Sequence, residues 1–170
     1  MSTTRVPRAA ARHSVGPAVD LLSIRPMRVL ILYESRRGFT LTVARALRDE
    51  LRKLGHEATT SPLRTVDPGT LAATDALVVG TWVKGLLLVG VGPAHGTREA
   101  IDALPDLQGR PTVVYCTCEF APMSTLDRVS EWLDRRGADV RGRAVFKRHK
   151  SLRTAPDVAA GIVEAMQPTA

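Results

Sequence analysis

An apolar run that breaks into a short polar loop and then becomes a helix constrains this chain most strongly. Residues 29–33 are continuously apolar, which is typical of a strand buried within a sheet. A polar loop follows at residues 34–38, and residues 40–54 have the periodicity of an amphipathic helix. The unpaired N–H groups at the start of such a helix carry positive partial charge and attract anions. The segment therefore predicts a strand that presents a phosphate-sized loop at a helix N-terminus.

Several residues of this loop suit an anion. Ser35 and Thr40 supply hydroxyl donors, and Gly38 lets the backbone turn tightly or approach a ligand. Arg36 or Arg37 adds positive charge if its side chain folds inward. The alternative is an ordinary strand-to-helix turn with Thr40 as N-cap and two solvated arginines, and an isolated Ser-x-x-Gly-x-Thr would favour that interpretation.

The spacing beyond the loop favours the anion site. Between residues 31 and 47 the chain carries two aliphatic residues and then, at defined intervals, Tyr33, Ser35, Gly38, Thr40, Ala44 and Leu47. This pattern resembles the N-terminal signature of the flavodoxin family, in which the loop binds the phosphate of FMN. The resemblance places six residues around that phosphate: Ser35, Arg36, Arg37, Gly38, Phe39 and Thr40. Flavodoxins commonly carry Asn where Phe39 stands, so one polar side chain is missing here.

Strands and helices alternate along the rest of the chain. The predicted strands are residues 28–33, 56–63, 76–80, 111–117 and 138–147, and the predicted helices are residues 40–54, 68–73, 124–136 and 154–166. Ser124 and Asp127 are spaced as in a capping box, and Thr154 is expected to be an N-cap. This alternation predicts an α/β fold with right-handed crossovers, and it fits a flavodoxin-like doubly wound sandwich whose five-stranded parallel sheet has the order 2-1-3-4-5.

Ligands of such sheets bind beyond the carboxyl ends of the strands, where we expect loops at residues 34–40, 81–97 and 117–123. In the second loop, the resemblance implies that Trp82 stacks on the flavin ring, with Thr81 and Val83 beside it. The alternative for Trp82 is an aromatic side chain that packs on its own loop.

The third loop corresponds to the flavodoxin segment that closes over the edge of the ring. The resemblance implies backbone contacts to the ring from Thr117, Cys118 and Glu119, and Phe120 stands where a tyrosine is frequent. Simple loop packing is the alternative for Phe120.

The stretch at residues 86–92 is unusually apolar for a loop at a ligand site. It is expected to be a flavin lid or a docking patch for a hydrophobic substrate or partner, and it leaves room for a homodimer.

Length and composition favour one globular domain, since the chain has 170 residues of which 44% are hydrophobic. Its longest apolar run, residues 86–91, is far shorter than the roughly 20 residues that span a bilayer. We therefore expect a soluble, cytoplasmic protein without stable membrane insertion. Residues 1–26 contain four Arg, three Pro and no continuous apolar core, which predicts a flexible leader before a domain at residues 27–170, with an organelle import sequence as the second interpretation.

The net charge of +7 is concentrated at residues 135–153, which hold eight Lys or Arg and one Asp. Such a stripe docks acidic proteins, nucleic acid or anionic membranes, although a solvated edge strand is the more frequent explanation. No nucleic-acid motif accompanies it, so we do not expect nucleic-acid binding. Electron-transfer flavodoxins are typically acidic, so a redox partner of this chain is expected to differ from theirs.

The two cysteines, Cys116 and Cys118, are separated by one residue. We expect a strand to point them to opposite faces as free thiols rather than to join them in a disulfide. The four histidines are scattered without ligand spacing, so no metal site is expected.

The resemblance implies an FMN-binding redox protein that transfers electrons and needs no catalytic acid or base. Its expected partner is a redox protein or a small-molecule substrate. Two alternatives stay open. An FMN-dependent oxidoreductase, similar to small quinone reductases or flavodoxin-like protoporphyrinogen oxidases, would use the apolar stretch for a hydrophobic substrate. A flavin-free binding module would account for Phe39 and the crowded apolar stretch.

Overall fold

The computed structural model of the protein describes residues 25–86, 89–119, 121, 124–148 and 151–167. The strands are β1 (Arg28–Tyr33), β2 (Glu57–Pro62), β3 (Ala76–Leu86), β4 (Val89–Pro93), β5 (Pro111–Cys118) and β6 (Asp139–Lys147). The α-helices are α1 (Phe39–Lys53), α2 (Pro68–Ala72), α3 (Thr97–Asp102), α4 (Thr125–Arg135) and α5 (Ala155–Met166). Short 3₁₀ turns precede α2 and α5. Most of the predicted leader lies outside the described residues.

The strands form one sheet in the order β2-β1-β3-β5-β6, and β4 pairs with β3 beside this path. All pairs along the path are parallel, whereas β4 is antiparallel to β3. With β4 set aside, this is the predicted order 2-1-3-4-5, and the prediction of a doubly wound parallel sheet is confirmed.

Helices cover both faces of the sheet and enclose two apolar cores. The core beneath α1 and α5 includes Ile31, Leu47, Val78, Tyr115, Phe146 and Ile162. The core beneath α3 and α4 includes Leu30, Leu77, Ile101, Val114, Cys116 and Leu133. Successive strand residues alternate between the two cores, and this explains why β1 is continuously apolar in sequence. None of the helices in the described ranges combines the length and the apolar character needed to cross a membrane.

The predicted loop at residues 81–97 is wrong in its first part, because β3 continues through it to Leu86. The chain then returns as β4, and this hairpin pairs Val83 with Pro93 and Lys84 with Gly92. Helix α3 begins at Thr97, after the short turn at residues 94–96. The backbone N–H and C=O groups of an apolar segment still need hydrogen-bond partners. Pairing with an antiparallel strand supplies these partners, so the segment forms a hairpin rather than an exposed loop.

Helix starts differ from the predictions in smaller ways. The first helix begins at Phe39 with Gly38 as its N-cap, rather than at Thr40. Ser124 occupies the N-cap of α4 but makes no side-chain capping hydrogen bond. Asp127 forms an ion pair with Arg143 of β6 instead, so the predicted capping box is absent. Thr154 occupies the predicted N-cap position of α5.

Candidate functional site

The loop after β1 leads directly into the N-terminus of α1. The Glu34 N–H donates to the Gly80 carbonyl over 2.8 Å, which continues the pairing of β1 with β3 beyond Tyr33. Gly38 has a φ of 83°, a left-handed conformation that strains other residues, so glycine is required here for its backbone. The first helical hydrogen bond runs from the Thr42 N–H to the Gly38 carbonyl. The N–H groups before Thr42 therefore remain at the open end of the helix.

Ser35 and two arginines precede this open end in the loop. The Ser35 Oγ is buried and has no hydrogen-bond partner among the described residues. Arg36 and Arg37 are exposed, and neither forms an ion pair within the described part of the chain. No acidic residue occupies the first turn of α1. A buried hydroxyl without an acceptor, beside free guanidinium groups, suits an anionic ligand.

Thr40 and Thr117, both predicted site residues, lie together at the edge of the sheet. Their hydroxyl oxygens are 2.9 Å apart and both side chains are buried. The Tyr115 hydroxyl donates to the Thr40 carbonyl over 3.1 Å, which anchors the first turn of α1 on β5. Because only one hydroxyl of the pair can donate to the other, the second keeps a proton for another acceptor.

The three predicted residues of β3 face opposite sides of the sheet. Trp82 is half-buried and pairs in register with Thr117 of β5. Strand alternation places it on the side of α1. Thr81 is buried on the other side, where its hydroxyl lies 3.1 Å from the Thr97 hydroxyl, and Val83 packs against the core beneath α3 and α4. The structure therefore places Trp82 beside Thr117, whose hydroxyl meets that of Thr40, whereas the side chains of Thr81 and Val83 lie on the other face.

The prediction that the two cysteines point to opposite faces is wrong. Residues two apart in a strand share a face, and the Cys116 thiol interacts by a hydrogen bond with the sulfur of Cys118. This hydrogen bond, together with the positive charge of Lys147, lowers the pKa of Cys118 to about 7, although burial opposes the shift. The same hydrogen bond and burial raise the pKa of Cys116. Both cysteines are free thiols, as expected.

The remaining predicted residues lie at the end of β5. Glu119 follows the strand and is exposed, and the predicted ring contact of Phe120 lies outside the described residues. Phe39 is half-buried, and its ring lies beneath the guanidinium of Arg148.

Comparison with known proteins gives a match in solved structures only, since no family model and no curated protein matches the chain. A flavodoxin from Pseudomonas aeruginosa, solved as a mutant with a serine in place of one cysteine, is 22% identical with a TM-score of 0.67, over 84% of this chain and 100% of that chain. Oxidised flavodoxin 2 from Bacillus cereus is 20% identical with a TM-score of 0.66, over 81% of this chain and 98% of that chain.

This chain has the flavodoxin fold. The same fold also occurs within a larger protein, the rubredoxin oxygen:oxidoreductase of Desulfovibrio gigas. That protein is 18% identical with a TM-score of 0.66, and the match covers 87% of this chain and 38% of that chain.

In this flavodoxin fold, Arg64 joins two loops of the carboxyl edge. Its Nε donates to Glu34 over 2.8 Å, and a terminal nitrogen donates to the His95 carbonyl over 2.6 Å. The Lys84 Nζ lies 3.2 Å from the His95 Nδ1. Arg64 thus holds the loop after β1 next to the segment that follows the hairpin. Sequence reasoning missed Arg64 because nothing in its local pattern indicates which distant loops it joins.

Proposed function

We propose that the protein binds FMN noncovalently at the carboxyl edge of β1, β3 and β5 and transfers electrons through it. The observation that carries this proposal is the buried Ser35 hydroxyl, which has no hydrogen-bond partner among the described residues and lies in a loop with two exposed arginines. The flavodoxin fold supports it, since ligands of doubly wound sheets bind at this edge.

The residues of the first loop would hold the phosphate of FMN. The Ser35 hydroxyl and the N–H groups at the start of α1 would donate hydrogen bonds, and Arg36 and Arg37 would balance the charge. The hydroxyl pair of Thr40 and Thr117 leaves one proton for the ligand. Trp82 would contact the ring from β3, and the backbone after Thr117 would contact its polar edge. Bound FMN supplies the electron-transfer chemistry itself.

Titration with FMN and with riboflavin tests this proposal, because riboflavin has the ring and lacks the phosphate. We expect the wild-type protein to bind FMN more tightly than riboflavin, with quenching of flavin fluorescence as the measurement. Ser35→Ala should weaken FMN binding by about ten- to a hundredfold, since a hydrogen bond to a charged group is worth about 1.5–3 kcal/mol. Its affinity for riboflavin should not change.

Ser61→Ala is the matched control, since Ser61 lies on the edge strand β2 and, among the described residues, its hydroxyl makes only a 3.4 Å contact with the Pro62 carbonyl. Its FMN affinity should equal that of the wild type. Protein that purifies without colour and ignores both flavins would refute the proposal and favour a flavin-free binding module.

The hairpin favours a second candidate, an FMN-dependent oxidoreductase that acts on a quinone-like substrate. Strand β3 ends at Leu86 and β4 begins at Val89, so the most apolar stretch of the chain extends from the strand that carries Trp82. NADH or NADPH oxidation that depends on both FMN and an added quinone would support this candidate. A loaded protein that exchanges electrons but turns over no quinone would favour the electron-transfer function.

The charge of the carboxyl edge supports a proposal about the redox partner. Arg36, Arg37, Lys147 and Arg148 are all exposed and follow β1 or end β6 at this edge. A partner must approach this edge to exchange electrons with FMN, and opposite charges steer such an encounter. We therefore propose that the partner presents an acidic face.

A further inference from the structure

Arg148 contacts the first residue of the candidate phosphate loop helix from a distant part of the chain. Its guanidinium carbon lies 5.6 Å from the centroid of the Phe39 ring. Phe39 is the first residue of α1, so the ring belongs to the same turn as the open N–H groups. The geometry therefore brings a third arginine, from the end of β6, to the first turn of α1, directly after the loop that holds Arg36 and Arg37.

The backbone of Arg148 is tied to the neighbouring strand β5. Its N–H donates to the Cys118 carbonyl over 3.1 Å, which extends the parallel pairing of β5 and β6 by one residue past Lys147. Phe39 packs against the core beneath α1 and α5. Both partners of the contact are thus attached to rigid elements, and the contact does not depend on a free loop.

The guanidinium of Arg148 is available to an anion. No carboxylate of the described residues forms an ion pair with it, and the residue is exposed. Contact with the face of an aromatic ring uses the positive charge of a guanidinium and leaves its N–H donors free for an acceptor. The buried Ser35 Oγ, which also lacks an acceptor among the described residues, independently indicates an anion at this loop.

We propose that Arg148 binds the phosphate group held by the first loop and that Phe39 positions it. This inference rests on the proposed function, because the phosphate in question is that of FMN. Flavodoxins commonly carry Asn at the position of Phe39. In this chain, the Phe39 ring would instead hold the guanidinium of Arg148, which comes from the end of β6. A solvated Arg148 that merely covers Phe39 is the competing explanation.

Four variants separate these explanations in titrations with FMN and riboflavin. Arg148→Ala should weaken FMN binding about tenfold at low salt and leave riboflavin binding unchanged, because only FMN carries the phosphate. Arg148→Lys should retain part of the affinity, since Lys keeps the charge but loses the planar fork. Arg135→Ala removes the same charge at the far end of α4 and should stay within about twofold of the wild type, since screening limits distant charges.

Phe39→Leu keeps an apolar side chain in the core but removes the ring. It should weaken FMN binding. Adding Arg148→Ala to Phe39→Leu should lower the FMN affinity by a smaller factor than Arg148→Ala does in the wild type. Thermal melts of all variants would show whether each remains folded. Wild-type FMN affinity in Arg148→Ala at low salt, in a protein that discriminates FMN from riboflavin, would overturn the inference while leaving the proposed function standing.

If the wild-type protein binds neither flavin, the proposed function fails and inorganic phosphate decides the role of Arg148. Amide chemical shifts of residues 35–40 would then be followed while phosphate is added to the wild type and to Arg148→Ala. Weaker phosphate binding in the variant would support an anion site that includes Arg148. Equal shifts, or none in either protein, would overturn it.

Discussion

Tyr115 of β5 occupies the space that a side chain at Gly80 of β3 would need. A Cβ at Gly80 would overlap the Tyr115 ring. The ring also meets Phe146 edge-on with centroids 5.7 Å apart, and its hydroxyl donates to the Thr40 carbonyl. The missing side chain at Gly80 therefore allows one buried aromatic residue to join β3, β6 and the first turn of α1.

Gly80→Ala should destabilise the protein by about 3 kcal/mol, because the added methyl group must displace a fully buried ring. Urea denaturation would measure the loss. Gly161→Ala is the matched control: it lies within α5 with open space around its Cβ position, and it should stabilise the protein by about 0.5–1 kcal/mol. Equal stability of Gly80→Ala and the wild type would show that the Tyr115 ring moves at little cost.

His56 should make the protein less stable in weak acid. Its Nδ1 accepts the Met27 N–H over 3.2 Å, and burial lowers its pKa below the usual value of 6.5. The unfolded chain therefore binds a proton at a pH where the folded protein does not. The contribution to stability is complete above pH 6.5 and is lost as the pH falls through the lower pKa of the folded state.

Denaturation midpoints between about pH 8 and pH 5 would measure this effect in the wild type and in His56→Asn. Asn keeps an acceptor for the Met27 N–H but does not titrate. As the pH falls over this range, the free energy of unfolding should decrease less in the variant than in the wild type. The difference between the two proteins at the alkaline end, where His56 is neutral in both the folded and the unfolded state, serves as the baseline. Parallel pH profiles would rule out His56 as the source.

Cys118 should react with iodoacetamide before Cys116 does. The pKa of Cys118 is lowered to about 7, whereas that of Cys116 is raised, and only a thiolate is nucleophilic. Peptide mass analysis over a pH series should show that the reaction rate of Cys118 rises at a lower pH than that of Cys116. Cys116→Ala should move the rise in the Cys118 rate to higher pH, because it removes the hydrogen-bond donor that stabilises the thiolate.

Denatured protein provides the control for Cys118, since both cysteines should then react alike. Preferential modification of Cys116 in the folded protein would contradict the prediction.

Electron transfer from the reduced, FMN-loaded protein should depend on the charge of the acceptor. Oxidation by anionic ferricyanide should be fast at low salt and slow down as ionic strength rises, while oxidation by cationic hexaammineruthenium(III) should show the opposite trend. Lys147→Glu should weaken both trends because it reverses a charge at the carboxyl edge. Arg135→Glu, at the far end of α4, should change them less, and equal effects of the two variants would argue against a localised docking face.

Much of the fold could be predicted because the sequence patterns that specify its strands and helices extend over only a few residues. The bounds of β1 agree with the prediction, since a strand between two parallel neighbours must be apolar on both faces. The hairpin could not be predicted in the same way. The sequence predicts a central strand that ends near Gly80, whereas pairing with β5 extends it through Trp82 and pairing with β4 extends it to Leu86.

The same distinction between local and tertiary features applies to the candidate site. The sequence by itself determined the strand, the turn at Gly38 and the helix that follows, because periodicity and backbone preference act over a few residues. Only the tertiary structure decided that Thr40 meets Thr117, that Arg64 joins two loops and that Arg148 lies over Phe39. These contacts depend on strand order and register, which arise when elements far apart in the chain pack together.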